Sequence, residues 1–137
     1  MDQVIREHGF HLDDVARHLW LTDIDLKTLT ESGHYIGLHS YDHPYELAEL
    51  NYQEQLDQYK RNYGHIHRVI NKEIECMSYP LNSYNEDSLE ILSQMVIQCG
   101  FRANMVPPSC GDINPSCLEL AREDSANLLL VMKGSFH

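Results

Sequence analysis

Two histidines four residues apart, His39 and His43, are the residues whose type and spacing point most directly to chemistry. They lie in Gly33-His34-Tyr35-Ile36-Gly37-Leu38-His39-Ser40-Tyr41-Asp42-His43-Pro44, where the stretch before the pair reads as a short strand ending at His39. If the backbone turns helical there, residues at i and i+4 share a face, with Cβ atoms roughly 6 Å apart. Imidazoles at that separation converge on one metal ion, and imidazole nitrogen suits zinc, iron, nickel or cobalt. The C-terminal end of a parallel strand is also where α/β folds bind ligands. The competing reading is structural, because an isolated His-x-x-x-His pair recurs by chance and this chain has nine histidines. Asp42 offers a stand-in ligand, but on a helix it faces away from the pair.

The elements that must carry this segment alternate between helix and strand, which predicts an α/β fold with a largely parallel sheet. An amphipathic helix is expected over residues 12–20, on Leu12, Val15, Ala16, Leu19 and Trp20. Thr22 reads as the N-cap of a short helix ending at Gly33. Asn51 with Glu54 resembles a capping box. The helix behind it repeats Tyr52, Leu56, Tyr59, Tyr63, Ile66 and Ile70 along one face. Ile74 to Tyr79 is a second strand candidate, stopped by Pro80. Asn85 caps a third helix carrying Leu89, Leu92, Met95, Val96 and Cys99, with Gly100 as its terminator. Phe101 to Val106 is a third strand, 107–115 a loop, and 118–120 a short strand. Asp124 or Ser125 caps a last helix ending near Gly134.

Composition narrows the function. The chain has 137 residues with 10 Lys+Arg against 21 Asp+Glu, a net charge of −11. That length suits one domain, and we expect a single domain over 1–137. The acidic balance argues against nucleic acid and anionic membrane as partners. The longest apolar run, Leu128 to Met132, is far too short to span a bilayer. The first residues hold no apolar segment of the signal-peptide kind, and a cytoplasmic location is expected. Cys76, Cys99, Cys110 and Cys117 show no Cys-x-x-Cys spacing and read as small apolar residues.

The segment Gly-His-x-Ile-Gly-x-His-Ser-x-x-His-Pro resembles the second motif of polysaccharide deacetylases, the NodB-homology group of carbohydrate esterase family four. Met77-Ser78-Tyr79-Pro80-Leu81-Asn82-Ser83-Tyr84-Asn85 is similar to the family's next motif, an Arg/aromatic-Pro-x-Gly loop leading into a helix. Cys99 to Asn104 and Leu118 to Asp124 resemble its later segments, so the likeness spans roughly residues 22–130.

The resemblance implies a distorted (β/α) barrel, here a partial one, that removes N- or O-acetyl groups from an acetylated carbohydrate with a divalent metal, zinc first. In the family two histidines and one aspartate hold the metal. A metal-bound water attacks the acetyl carbonyl, a second aspartate takes its proton, and a late histidine protonates the leaving amine. Carried over by position, His39 and His43 are the metal ligands and the Leu81 backbone N–H is the oxyanion donor. Tyr41, Tyr79 and Pro80 are the candidate substrate contacts, although tyrosines here also read as packing. Arg102 and Arg122 are placed to orient a carboxylate, Arg122 as the catalytic candidate, or to pair with Glu123 or Asp124.

The family's first motif, Phe-Asp-Asp-Gly at a strand end, has no counterpart. Asp13-Asp14 sits in a helical pattern and reads as a solvated helix start. Ser78 occupies the arginine slot of the third motif and Asn82 its glycine slot, where Asn still tolerates positive φ. The late histidine has no candidate; Ser125 stands nearest its place.

The sequence is therefore expected to be the C-terminal part of a longer deacetylase. The alternatives are a non-catalytic remnant that binds sugar, and a plain α/β interaction module with structural histidines. An uncovered sheet edge is expected to favour pairing with a second copy.

Overall fold

The computed structural model describes residues 19–108, 111–123 and 125–132, together with Glu7, Gly9 and His11. Asp13, Asp14 and most of the helix expected over 12–20 lie outside the described residues. So do Cys110, Asp124 and residues 133–137.

The chain folds as two units, a smaller one over Met1–His34 and a larger one over Tyr35–His137. In the first, helix α1 runs Asp23–Glu31. Thr22 and Asp25 cap it reciprocally, each side chain meeting the other's backbone N–H. Those bonds hold the Asp25 carboxyl below its ordinary range, the Thr22 N–H contributing most. The chain leaves the helix through Gly33 at φ 89°, a left-handed turn suited to glycine.

The larger unit alternates as expected, but with shorter strands. Helix α2 spans Tyr52–Ile70, behind the Asn51/Glu54 capping box. Strand β1 is Cys76–Ser78, helix α3 Glu86–Gln94, strand β2 Cys99–Phe101 and helix α4 Ser125–Met132. Strands β1 and β2 are parallel, with Cys76 opposite Cys99 and Met77 opposite Gly100. Isolated parallel bridges extend the sheet on both sides, Leu38 to Met77 and Phe101 to Leu120. The strands expected at 34–39 and 118–120 are thus present as single bridges, and the pairing among the described residues is parallel. The core is Leu38, Leu47, Tyr59, Met77, Tyr79, Ile91 and Leu92 with their neighbours, and it draws on β1, α2 and α3, the last two packing against each other.

The third strand, expected over Phe101–Val106, instead runs Cys99–Phe101, and two further features differ from the expectation. Helix α3 ends at Gln94, followed by Met95 and by Val96 at φ 60°. Cys99 and Gly100 therefore belong to β2 rather than to a helix end. Gly100 is required by proximity: a Cβ there would sit 2.3 Å from the Leu118 carbonyl oxygen. The second difference is at Arg102, which is buried at 1% exposure. Its Nε donates to the Glu119 carbonyl at 3.1 Å, and its two terminal nitrogens donate to the carbonyls of Val106 and Ile113. It holds backbone, not a carboxylate.

Tyr59 is fully buried. Burial pushes its hydroxyl from 10.0 up to about 12, only partly opposed by the Ser88 hydroxyl. The folded state thus holds this proton longer than the unfolded chain. The stabilisation is complete below pH 10 and is lost as pH rises to 12, about 3 kcal/mol in all. Urea unfolding at pH 9 and 11.5 should show this fall, and Tyr59→Phe should make it shallower. Tyr79, Cys76 and Cys99, each raised chiefly by burial, add to the fall with the same sign.

Candidate functional site

Gly37 lets the site form. A Cβ at this position would come within 2.9 Å of the Cys76 carbonyl oxygen, so only glycine lets the chain run this close to β1. Leu38 then exchanges backbone hydrogen bonds with β1, its N–H to Cys76 O at 2.9 Å and its carbonyl accepting from Ser78 N at 3.0 Å. One residue later, His39 Nδ1 lies 2.6 Å from the Ser78 carbonyl oxygen. A carbonyl can only accept, so Nδ1 carries the proton. That leaves the lone pair of the neutral ring on Nε2, the arrangement in which a backbone carbonyl orients a ligating histidine.

His43 meets His39 by a route other than the expected helix. Tyr41 and Asp42 form a bend, flanked by Ser40 at φ 66° and His43 at φ 52°. Two left-handed residues reverse the chain, bringing the imidazole centroids to 5.0 Å at an interplanar angle of 61°. Both histidines are exposed. Ser40, between them, is buried, and its hydroxyl has no hydrogen-bond partner among the described residues.

Helix α2 fixes this bend through three polar residues that the apolar periodicity of the sequence did not single out. Asn62 Oδ1 accepts from the His39 N–H at 2.9 Å. Gln58 Oε1 accepts from the N–H groups of Tyr41 and Asp42 at 3.1 and 2.9 Å. Gln58 Nε2 and Arg61 both donate to the Asp42 carboxylate, at 3.1 and 3.3 Å. Asp42 is therefore committed to α2. The signal was polar residues at 58, 61 and 62, spaced i, i+3 and i+4 in the helix following the motif. Outer contacts of this kind are commonly worth 10–100-fold in metal affinity. Gln58→Ala and Asn62→Ala are each expected to weaken cobalt binding about tenfold, read from visible absorption, while circular dichroism stays unchanged.

The second half of the site lies after β1. Pro80–Asn82 form a single 3-10 turn in which Leu81 and Asn82 have φ 49° and 61°. Asn82 thus takes the left-handed conformation expected of the glycine slot. Its side-chain oxygen accepts from Ala103 N at 2.8 Å, tying the turn to the end of β2. No acceptor among the described residues takes the Leu81 N–H.

The remaining candidates are dispersed. Tyr41 is 45% exposed, and the Arg61 guanidinium carbon lies 4.0 Å from its ring centroid. Tyr79 is 1% exposed, stacked on Tyr84 at 4.3 Å, and its hydroxyl donates to Leu118 O at 2.7 Å. Pro80 is also buried. Neither has surface to offer a sugar, so the reading of both as substrate contacts is corrected: the turn that follows β1 buries both side chains. Arg122 is exposed, its backbone N–H pointing to Asn104 O at 3.4 Å, and its guanidinium has no carboxylate partner among the described residues. Ser125 is exposed at the start of α4. His65 and His67 sit late in α2, His65 beside Arg68 and His67 beside Glu73.

The histidine pair fits two positions of a tetrahedral zinc shell in residue type, and His39 fits in tautomer as well. Among the described residues, no group of three or more His, Cys, Asp or Glu could hold a metal ion. The pair therefore fits as part of a ligand set.

A family model described as Polysaccharide deacetylase matches residues 6–100. The chain belongs to the polysaccharide deacetylase family. No curated protein is matched. The structure is similar to the Streptococcus pyogenes deacetylase PplD in complex with acetate, with a TM-score of 0.66 at 23% identity, covering 82% of this chain and 50% of that one. It is also similar to the BpsB deacetylase domain of Bordetella bronchiseptica, with a TM-score of 0.63 at 14% identity, covering 76% and 48%. A third similar structure is wild-type BA3943 of Bacillus anthracis, a CE4 family pseudoenzyme, with a TM-score of 0.52 at 21% identity, covering 55% and 26%. At these identities the likeness shows the fold, an α/β arrangement corresponding to part of the CE4 deacetylase barrel. The chain spans about half the length of the first two structures.

Proposed function

We propose that this chain carries the histidine half of a metal-dependent site that removes acetyl groups from an acetylated carbohydrate. The observation that supports it best is the convergence of His39 and His43, with the His39 tautomer set by the Ser78 carbonyl. When bound, a divalent metal, zinc first and otherwise cobalt, nickel or iron, supplies an activated water and a positive charge. The chain's own residues do the rest. His39 and His43 present imidazole nitrogens, Asn62 and Gln58 hold the bend, and the Leu81 N–H stands available to a developing oxyanion.

The same site supports a second reading. No carboxylate joins the pair among the described residues, so a third ligand and a general base are both lacking there. Loss of a general base costs about 10²–10⁴ in rate. Such a site would serve a sugar-binding module.

Acetate release from acetylated chito-oligosaccharides, with the zinc-loaded chain, separates the two. We expect slow release that chelation abolishes and that His39→Ala lacks. Sugar binding with no acetate release would establish the second reading. Pairing of the sheet edge with a second copy is a further part of the proposal. Light scattering should show mass rising with concentration, and a monomer throughout would contradict it.

A further inference from the structure

On the outer side of the histidine bend lies a cleft of about 310 Å³, lined by Tyr41, Lys60, Arg61, Gly64, His65 and Arg68. Five of the six come from α2, at spacings that place them on neighbouring turns of one face. In a chain of net charge −11, three of the ten Lys and Arg residues line this one cleft. Arg61 is neutralised by Asp42 and Asp57, at 3.3 and 3.4 Å. Lys60 has no carboxylate partner among the described residues, and Arg68 instead donates to His65 Nδ1 at 3.1 Å. Arg has no acceptor, so His65 Nδ1 is the accepting nitrogen. Gly64 leaves open space where a side chain would stand, with nothing within 4 Å of a Cβ position.

The cleft thus offers an ammonium and a guanidinium without a carboxylate partner among the described residues, three cations in all against the two carboxylates of Asp42 and Asp57, and room for a polyatomic group. Lys and Arg arranged this way recognise phosphate, sulfate and carboxylate. We infer that the cleft is an oxyanion site that takes the anionic group of the glycan presented to His39 and His43. Tyr41 links the two, since it belongs to the histidine bend and also lines the cleft. The substrate class that follows is an acidic acetylated glycan. The anion site stands on its own geometry, and the glycan assignment rests on the carbohydrate reading above.

The test titrates inorganic phosphate into the full isotope-labelled chain at low salt, following the His65 ring and Lys60 by NMR. We expect saturable shifts with a millimolar Kd. Lys60→Gln and Arg68→Gln should each weaken binding at least fivefold, and Lys72→Gln, outside the cleft, should leave it unchanged. Shifts of equal size in wild type and in the Lys60→Gln/Arg68→Gln double variant, with native circular dichroism, would overturn the site. A second arm compares an N-acetylated oligosaccharide containing uronic acids with a neutral chito-oligosaccharide of equal length. We expect the acidic one to bind at least fivefold tighter, an advantage the double variant loses. Equal binding would overturn the acidic-glycan assignment alone, whereas failure of the carbohydrate reading would appear as binding of neither sugar while phosphate still binds.

Discussion

Replacing Arg102 by methionine is expected to cost about 3–5 kcal/mol, a large share of the 5–15 kcal/mol typical of a folded domain. The side chain is buried at 1% exposure, so methionine fills its volume but supplies none of its donors. Three carbonyls, those of Glu119, Val106 and Ile113, lose their partner together. Each belongs to the stretch between the end of β2 and the Leu120 bridge, so the whole connection loosens with them. Arg102→Lys should recover only part, because one ammonium cannot reproduce a planar fork spanning three acceptors. Thermal denaturation followed by circular dichroism should show the midpoint of Arg102→Met falling by about 10–20 °C. A fall under about 3 °C would mean that the guanidinium is not the strut described.

Gly100→Ala is the second large effect. The added methyl would meet the Leu118 carbonyl oxygen at 2.3 Å and the Tyr79 hydroxyl at 2.9 Å. The first obstacle is backbone, and the second is itself bonded to that carbonyl at 2.7 Å, so neither yields cheaply. Relief requires residues 117–120 to move off β2. That breaks the bonds from Gly100 N to Cys117 O and from Leu120 N to Gly100 O, at 2.9 and 2.8 Å. We expect about 3–4 kcal/mol of destabilisation, at or above the upper end for overpacking. Gly64→Ala is the matched control: it lies inside α2 with open space around it, so the better helix propensity of alanine should leave stability unchanged or raised by up to about 1 kcal/mol. Urea unfolding of the two variants side by side measures the contrast.

The parts of the fold set by local rules can be read from the residues alone. Thr22 and Asn51 cap helices because a short polar side chain satisfies the first free N–H groups wherever it stands. The apolar stripe of α2 needs only periodicity. Gly100 shows where such rules stop: a glycine after a helical pattern looks like a C-cap, and only the approach of residue 118 reveals it as a strand position. Arg102 looks like a partner for a carboxylate because three distant carbonyls converging on one guanidinium leave no mark in the sequence. Tyr79 and Pro80 stand near the site along the chain, but they face the core rather than the surface.

The site itself is legible in type and less so in geometry. The spacing of His39 and His43 carries the chemistry, although the pair meets through two left-handed residues rather than on a helix. The supports from Gln58 and Asn62 come from the polar side of a helix whose apolar side dominates its pattern. The first aspartate motif of the family has no counterpart among the described residues, and this makes the metal shell the decisive quantity.

The central claim is that His39 and His43 together hold a metal ion. The direct measurement is elemental mass spectrometry of the chain after zinc loading and desalting, with His39→Ala and His43→Ala in parallel. The account predicts zinc retained by the wild type and lost from either variant. Equal zinc in all three proteins, or none in the wild type, would contradict it.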